Sequence, residues 1–441
     1  MLKEERERII SLVKREVVPA VGCTEPIAVA LCVAKAVETL GCQPESINVY
    51  LSANILKNAM GVGIPNTGMI GLPIAIALGA ICGKSDYQLE VLKDVDAAAV
   101  EQGKAYLESH EVDIQLKDDI DEKLYIEVLV TDADGHTAKT IIAGSHTNFV
   151  YISKDDEVLL DSASATPSSF SSLPMKGEGL GRGSSDDSWL SLRKVYEFAT
   201  TAPLEEIDFI NESRRLNEAA AERSLHGNYG HMLGKTLTRP MGKGIMGDSI
   251  FSHIISTTAC ACDARMAGAM IPVMSNSGSG NQGICATLPV VVYAEENHNT
   301  DEELTRALML SHLTAIYIKQ SLGTLSALCG CVVASTGSSC GITYLMGGGY
   351  KEICASVKNM IANLSGMICD GAKPSCTLKL ASGVSTAVLS AMLAVSGECV
   401  SSTEGIIDDD VDRSIHNLTK IGKDAMNETD RCVLDIMTNK N

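Results

Sequence analysis

Large aromatic side chains are scarce in this sequence: it holds 5 Phe and 1 Trp among 441 residues, against 38 Gly. Few side chains can therefore bury a large apolar area each. Small residues allow helices to approach one another closely, so the composition favours tightly packed helices. Hydrophobic residues still make up 45% of the chain, which excludes a disordered protein.

Positive charge is also in short supply. The chain has 36 Lys and Arg against 55 Asp and Glu, which gives a formal net charge of −19. A surface of that sign repels phosphates, so we expect no nucleic acid and no anionic membrane as partner. No apolar run reaches the roughly 20 residues of a membrane helix, and the nearest, 70–81, is interrupted by Pro73 and by glycines. A small polar substrate is the better expectation.

Neither a disulfide framework nor a zinc knuckle is present. Fifteen cysteines are too dilute and odd in number for a disulfide scaffold, and no apolar signal core follows Met1, so we expect reduced thiols in the cytoplasm. Cys285, Cys329 and Cys340 are too widely spaced for a zinc ribbon, whereas an iron–sulfur cluster can take ligands from several helix ends. From spacing alone, buried inert thiols are the simpler interpretation.

A polar, glycine-rich stretch at 275–285 stands out near the centre of the chain. Its glycines leave the backbone free to bend round a ligand, and a cysteine closes it before an apolar run. We expect it to build the active centre with a few thiolates, although the same residue types also form ordinary turns. The side chains that we expect to hold a substrate's carboxylate and ammonium are Asn58, Ser277, Ser279, Asn281, Gln282 and, more weakly, Lys373 and Lys379.

Cys23 stands at a predicted helix start, with Thr24 as the expected N-cap and Pro26 in the first turn. The helix dipole and the free N–H groups favour a thiolate there, which makes Cys23 a candidate catalytic group. Glu25 could orient a proton relay beside it, although a glutamate in a first helical turn is common for the dipole alone.

Hydrophobic periodicity predicts an α+β protein: a mainly α-helical catalytic domain with an inserted small, β-rich α+β domain. Residues 1–90 form the first part of the helical domain, and 91–165 form the inserted module. Residues 166–188 form a linker, and 189–441 form the second part of the helical domain. A strand from residue 46 to 53 is assigned to the first part, and a helix is expected from 322 to 336.

Four motifs, taken in order, resemble the UPF0597 family over nearly the whole chain. That family is similar to the L-cysteine desulfidases and belongs with the iron–sulfur L-serine dehydratase α-chain group. The motifs are Gly22-Cys-Thr-Glu-Pro26, Lys57-Asn-Ala-Met-Gly-Val-Gly-Ile-Pro65, Ser277-Gly-Ser-Gly-Asn-Gln-Gly283 with Cys285, and Asp370-Gly-Ala-Lys-Pro-Ser-Cys376.

The resemblance implies an oxygen-sensitive [4Fe-4S] cluster and no pyridoxal phosphate. It carries the ligand roles onto Cys285, Cys329 and Cys340, with Cys331 as a rival for the second position. Cys23 becomes the proton acceptor or a fourth, displaceable ligand, and Cys432 is a weak C-terminal candidate. The expected activity is L-cysteine desulfidase, which releases sulfide, ammonia and pyruvate, with L-serine dehydratase as the alternative.

Two alternatives come from other classes. A pyridoxal-phosphate lyase would use Lys57 as its Schiff-base lysine and Gly347–Gly349 as a phosphate cup. Against it, Lys57 is some 220 residues from the Ser277–Asn281 loop, and the strand–helix alternation of such enzymes is missing. A thiol or cluster redox sensor, or an inactive homologue, is the other alternative. A homodimer is one assembly open to the chain.

Overall fold

The computed structural model of the protein describes residues 1–117, 120, 122–162, 189–323 and 326–439. Helices form most of this chain, and the strands form one six-stranded sheet and one two-stranded ribbon, so the predicted α+β class is confirmed. The α-helices are α1 (Lys3–Glu16), α2 (Thr24–Leu40), α3 (Ala53–Ala59), α4 (Leu72–Ile81), α5 (Ala97–Ser109), α6 (Leu192–Thr201), α7 (Leu204–Ile207), α8 (Glu212–His226), α9 (Leu233–Leu237), α10 (Pro240–Met246), α11 (Ile250–Met266), α12 (Gly280–Glu296), α13 (Asp301–Leu322), α14 (Gly330–Leu345), α15 (Tyr350–Leu364), α16 (Cys376–Val395), α17 (Val411–Lys420) and α18 (Asn427–Thr438). The strands are β1 (Pro19–Val21), β2 (Ser46–Leu51), β3 (Glu111–Leu116), β4 (Tyr125–Thr131), β5 (Thr137–Ala143), β6 (Phe149–Lys154), β7 (Glu157–Asp161) and β8 (Pro272–Met274).

The chain divides into two compact units. The first unit comprises residues 1–21, 187–370 and 374–436, and the second comprises 22–186, 371–373 and 437–441. The first unit therefore holds α1, β1, β8 and the helices from α6 onward. The second unit holds α2–α5 and the six-stranded sheet.

Close helix packing marks the first unit, as the composition predicts. Gly337 and Gly341 lie on α14 where it meets α13: an added Cβ would stand 2.3 Å from the Ser311 carbonyl oxygen at Gly337 and 2.9 Å from that of Ala307 at Gly341. Neither position accepts a side chain without moving a helix. Small residues thus replace aromatic bulk as the means of filling this core.

The second unit is a mixed sheet covered by α2. The strand order is β3-β2-β4-β5-β6-β7, with β2 and β3 parallel and the remaining pairs antiparallel. On the covered face the Cys32 sulfur of α2 lies 3.2 Å from the Thr140 hydroxyl of β5. Gly135 closes the β4–β5 turn at a positive φ of 88°, the left-handed conformation that glycine adopts without strain.

Three details differ from the sequence-based expectation. β2 pairs with both β3 and β4, so the sheet begins well before residue 91. The edge strand β7 was not predicted because all its residues are exposed and show no alternation. The helix expected at 322–336 is instead split, because α13 ends at Gly323 with φ 86° and α14 begins after Cys329. The domain limits at 90 and 165 stay predictions, and the linker at 166–188 lies outside the described residues.

In the part of the chain that the structure describes, one helix, α16, has the length and apolarity to cross a membrane. Half of its most apolar segment is buried in the protein, a property that core helices share.

Candidate active site

The glycine-rich stretch lies in the first unit and forms the entry to α12. Backbone bonds tie it to the N-terminal segment: the Ser275 N–H donates to the Val18 carbonyl at 2.8 Å, and the Ser277 N–H donates to that of Glu16 at 2.9 Å. Ser279 is the N-cap, and its hydroxyl accepts the Gln282 N–H at 3.4 Å. The predicted loop thus becomes a helix start, where the first N–H groups have no partner one helical turn earlier and can face a ligand.

A buried histidine that the sequence analysis did not select supports this helix start. His312 of α13 accepts the Asn276 side-chain amide at its carbonyl oxygen, 3.1 Å away, and its Nδ1 lies 3.1 Å from the same nitrogen. Its Nε2 lies 3.0 Å from the Thr287 hydroxyl. Complete burial lowers the pKa of His312 to about 3, so the ring is neutral at physiological pH. A lone histidine in an apolar helix gave no sequence signal for this role.

Two thiols stand at the start of α14. Cys329 is the N-cap, and its sulfur lies 3.3 Å from that of Cys331. The hydrogen bond from Cys331 outweighs burial and lowers the pKa of Cys329 to about 7, whereas the pKa of Cys331 is raised well above its usual range. Cys329 is therefore the thiol of this pair that is ready to act as a thiolate.

The segment that carries Cys369 pairs through its backbone with the segment that leads to Cys329. The Cys329 N–H donates to the Met367 carbonyl at 2.9 Å, and the Cys369 N–H donates to that of Ala327 at 2.6 Å. Lys379 interacts electrostatically with both thiols. Burial lowers the pKa of Lys379, but the interaction with Asp370 raises it by more, and Cys329 and Cys369 raise it further. The Lys379 ammonium is thus paired with Asp370 and also donates to the Ile368 carbonyl at 2.6 Å.

Electrostatic effects on pKa values link three more thiols to these cysteines, and we call the set the six-thiol group: Cys262, Cys285, Cys329, Cys331, Cys369 and Cys376. Cys376 is the first residue of α16, and its charge contributes to the raised pKa of both Cys262 and Cys331. Cys285 is fully buried, and burial, Cys262 and Cys329 raise its pKa well above the usual range. Sequence analysis selected neither Cys369 nor Cys376 as a ligand, although Cys376 ends the Asp370–Cys376 motif and Cys369 directly precedes it.

Cys340 is not part of this group. It lies eleven residues after Cys329 on the same helix, which at 1.5 Å per residue is roughly 16 Å along the axis. Burial raises its pKa to about 12, and the thiol that further raises it is Cys354 rather than a member of the six-thiol group. Cys432, the weak C-terminal candidate, is exposed on α18. The structure therefore brings Cys285, Cys329 and Cys331 together and leaves Cys340 apart.

The six-thiol group offers soft sulfur donors. Among the described residues, no three His, Cys, Asp or Glu side chains are placed to hold one metal ion. Soft thiolates at helix starts are the donors that iron–sulfur clusters use.

In the second unit, Cys23 rather than Thr24 is the N-cap of α2, which corrects the predicted cap. The Cys23 thiol donates to the Glu25 carboxylate at 3.1 Å, so the predicted pairing of the two is present. His146, on the β5–β6 loop, adjoins the same carboxylate: burial lowers the pKa of His146, and the charge of Glu25 opposes that shift. His146 gave no signal in the sequence analysis.

The remaining predicted residues of the second unit gather round α3. Asn58 is half-buried on that helix, next to the buried Lys57. A Cβ at Gly371 would stand 2.2 Å from the Lys57 carbonyl oxygen, so the segment 371–373 packs directly on the end of α3. The Lys373 ammonium donates to the Gly371 carbonyl at 3.4 Å.

Comparison with known proteins identifies the family of this chain. The sequence model of the family described as serine dehydratase alpha chain matches residues 86–435. A UPF0597 protein of Bacteroides fragilis is 67% identical over 440 residues and is matched over 100% of both chains. A UPF0597 protein of Bacteroides thetaiotaomicron is 65% identical, over 100% of this chain and 99% of its own, and one of Aeromonas hydrophila is 43% identical, over 100% and 98%. The chain belongs to the UPF0597 family, within the serine dehydratase alpha chain group.

Proposed function

We propose that the protein is a [4Fe-4S]-dependent L-cysteine desulfidase, a lyase that converts L-cysteine to sulfide, ammonia and pyruvate. The observation that carries the proposal is the six-thiol group beside the glycine-rich start of α12. Membership of the serine dehydratase alpha chain group supports a β-elimination at a small amino acid. L-serine dehydratase, with water as leaving group, is the second candidate.

The ligands that the geometry favours are Cys329, Cys369 and Cys376. Cys329 and Cys376 stand at helix starts, where the dipole stabilises a thiolate, and the pKa of Cys329 is already lowered to about 7. Cys369 and Cys376 are partly exposed, whereas Cys285, Cys329, Cys331 and Cys340 are buried. A catalytic cluster needs a substrate-accessible side, so Cys369 and Cys376 suit it better than the predicted Cys285 and Cys340, and the lowered pKa of Cys329 favours that buried thiol as the third ligand.

The bound cluster would supply a Lewis acid for the β-heteroatom of the substrate, and sulfur is the atom for which iron has the greater preference. The chain's own residues bind the amino acid and move its protons. Glu25 takes the proton of the Cys23 thiol that donates to it, the resulting Cys23 thiolate accepts the α-proton, and the C–S electron pair leaves with sulfide. The aminoacrylate that remains takes up water and gives pyruvate and ammonia.

The experiment is anaerobic purification and reconstitution with iron and sulfide, followed by assays of sulfide from L-cysteine and pyruvate from L-serine. Turnover of L-cysteine that is lost in Cys329→Ala establishes the desulfidase. Turnover of L-serine alone establishes the dehydratase. A protein that takes up no iron and turns over neither amino acid, with or without pyridoxal phosphate, is a thiol sensor or an inactive homologue. The cytoplasmic location and the homodimer stay predictions.

A further inference from the structure

A buried arginine lies over the start of α12. Arg265, near the end of α11, is 5% exposed, and its Nη1 donates to the Asn281 side-chain oxygen at 3.1 Å. A Cβ at Gly280 would stand 2.3 Å from the Arg265 Nε, so the guanidinium rests directly on the helix backbone. The nearby Asp263 carboxylate accepts the Gly234 N–H and the Thr377 hydroxyl. The first turn of α12 therefore combines a helix N-terminus with a fixed guanidinium.

The adjacent side chain points to a ligand independently. Gln282 is 5% exposed, and its Oε1 has no hydrogen-bond partner among the described residues. An unpaired buried oxygen costs stability, and a ligand N–H that bonded to it would remove that cost. The Gln282 amide also contacts the backbone of Gly330, because a Cβ there would stand 2.9 Å from its Nε2. Gly330 lies between Cys329 and Cys331, so Gln282 connects the helix start with the six-thiol group.

We infer that Arg265 binds the carboxylate and Gln282 binds the ammonium of an α-amino acid. The inference rests on the proposed function for the identity of the amino acid, and it adds Arg265, which no motif indicated. A guanidinium gives a carboxylate two parallel charge-assisted bonds, and the Gln282 oxygen accepts one N–H of the ammonium. The third polar group of cysteine or serine, on the β-carbon, is then directed to Cys329. Gly278 is exposed and Ser279 is half-buried, so a ligand enters this site from the start of α12.

Three probes separate the two contacts in the reconstituted protein. L-serine carries both groups, 3-hydroxypropionate lacks the ammonium, and ethanolamine lacks the carboxylate. Calorimetry should show that Arg265→Gln weakens binding of L-serine and 3-hydroxypropionate by about 10- to 100-fold and leaves ethanolamine unchanged. Gln282→Leu should weaken L-serine and ethanolamine and spare 3-hydroxypropionate. The KM for L-cysteine should rise with Arg265→Gln in parallel.

Arg306→Gln is the matched control, because Arg306 is 13% exposed on α13 and donates to the Ala199 and Ala202 carbonyls. It should lower the melting temperature without changing any of the three affinities. Arg265→Lys keeps the charge if the glutamine variant does not fold, and it should lose part of the affinity for L-serine. Wild-type protein provides a test without mutation, since it should bind L-serine more tightly than ethanolamine.

The inference is overturned if a folded Arg265→Gln protein keeps its affinity for L-serine, or if wild-type protein binds ethanolamine as tightly as L-serine or binds none of the three. The proposed function can be rejected independently of this inference. The predicted binding pattern without β-elimination would retain the site and reject the lyase, whereas elimination with an unchanged KM in Arg265→Gln would retain the lyase and reject the site.

Discussion

Cys329 and Cys340 lie on one helix, α14, with Cys329 as its N-cap and Cys340 eleven residues further on. A rise of 1.5 Å per residue separates them by roughly 16 Å along the axis. Two thiols that far apart on a continuous helix do not reach the same cluster. The Cys329 sulfur lies 3.3 Å from that of Cys331, whereas Cys340 is fully buried farther along the helix.

The first prediction compares the two cysteines directly. Cys329→Ala should abolish iron uptake on anaerobic reconstitution, because a ligand is lost, whereas Cys340→Ala should bind as much iron as the wild type. Iron and acid-labile sulfide per chain are the measurements. Cys369→Ala and Cys376→Ala should behave like Cys329→Ala. Loss of iron in Cys340→Ala, with an unchanged melting temperature, would contradict the ligand set.

The second prediction concerns Cys23. Cys23→Ser should retain the helix cap, since serine is a good N-cap, and should retain the iron. Turnover should fall by about 100-fold or more, because a serine hydroxyl is a far weaker base than a thiolate. Cys42→Ser is the control, as Cys42 is an exposed thiol in the same unit. Full activity of Cys23→Ser would remove Cys23 from the mechanism.

The third prediction is a pH dependence of stability that arises from His312. Its pKa is about 3 in the folded protein and about 6.5 when unfolded, so below pH 6.5 the unfolded chain binds a proton that the folded one does not. Above pH 6.5 this effect does not change the free energy of unfolding. As the pH drops from 6.5 towards 3, the free energy of unfolding falls by at most about 1.4 kcal/mol per pH unit. Urea unfolding of the wild type and of His312→Gln measures the difference in slope.

His226→Gln is the control for this experiment, because His226 is exposed at the end of α8. It should leave the slope unchanged. An identical slope for wild type and His312→Gln would show that His312 is protonated in the folded protein or does not contribute.

The fourth prediction tests the close approach that forms the helix start. A Cβ at Gly283 would stand 1.8 Å from the Met274 carbonyl oxygen, so Gly283→Ala must displace β8 or α12. We expect a loss of about 2–4 kcal/mol in the free energy of unfolding. Gly244→Ala is the matched change: it lies in α10 with no atom within 4 Å of the added Cβ, and alanine favours the helix. Equal stabilities of the two variants would contradict the packing.

Hydrophobic periodicity was enough for most helices and for five of the six strands in the sheet. It also identified the loop before α12 and the Cys23–Glu25 pair, because helix starts and glycine-rich turns have local sequence signals. Strand β7 has none, since its residues are all exposed.

Which cysteines belong to the six-thiol group depends on the tertiary structure and could not be predicted from the sequence. The segments of Cys369 and Cys329, some 40 residues apart, are joined by a backbone pairing that no spacing rule indicates. Arg265 and His312 look like ordinary helix residues in the sequence. Their roles follow from what they contact: the Gly280 backbone for Arg265, and Asn276 and Thr287 for His312.

The most direct test of the central claim is sulfide release from L-cysteine by the anaerobically reconstituted protein, with Cys329→Ala and Cys340→Ala measured alongside. The account predicts sulfide and pyruvate in equal amounts from the wild type and from Cys340→Ala, and none from Cys329→Ala. A fully loaded wild-type protein that releases no sulfide, or a Cys329→Ala protein that keeps its iron and its turnover, would contradict it.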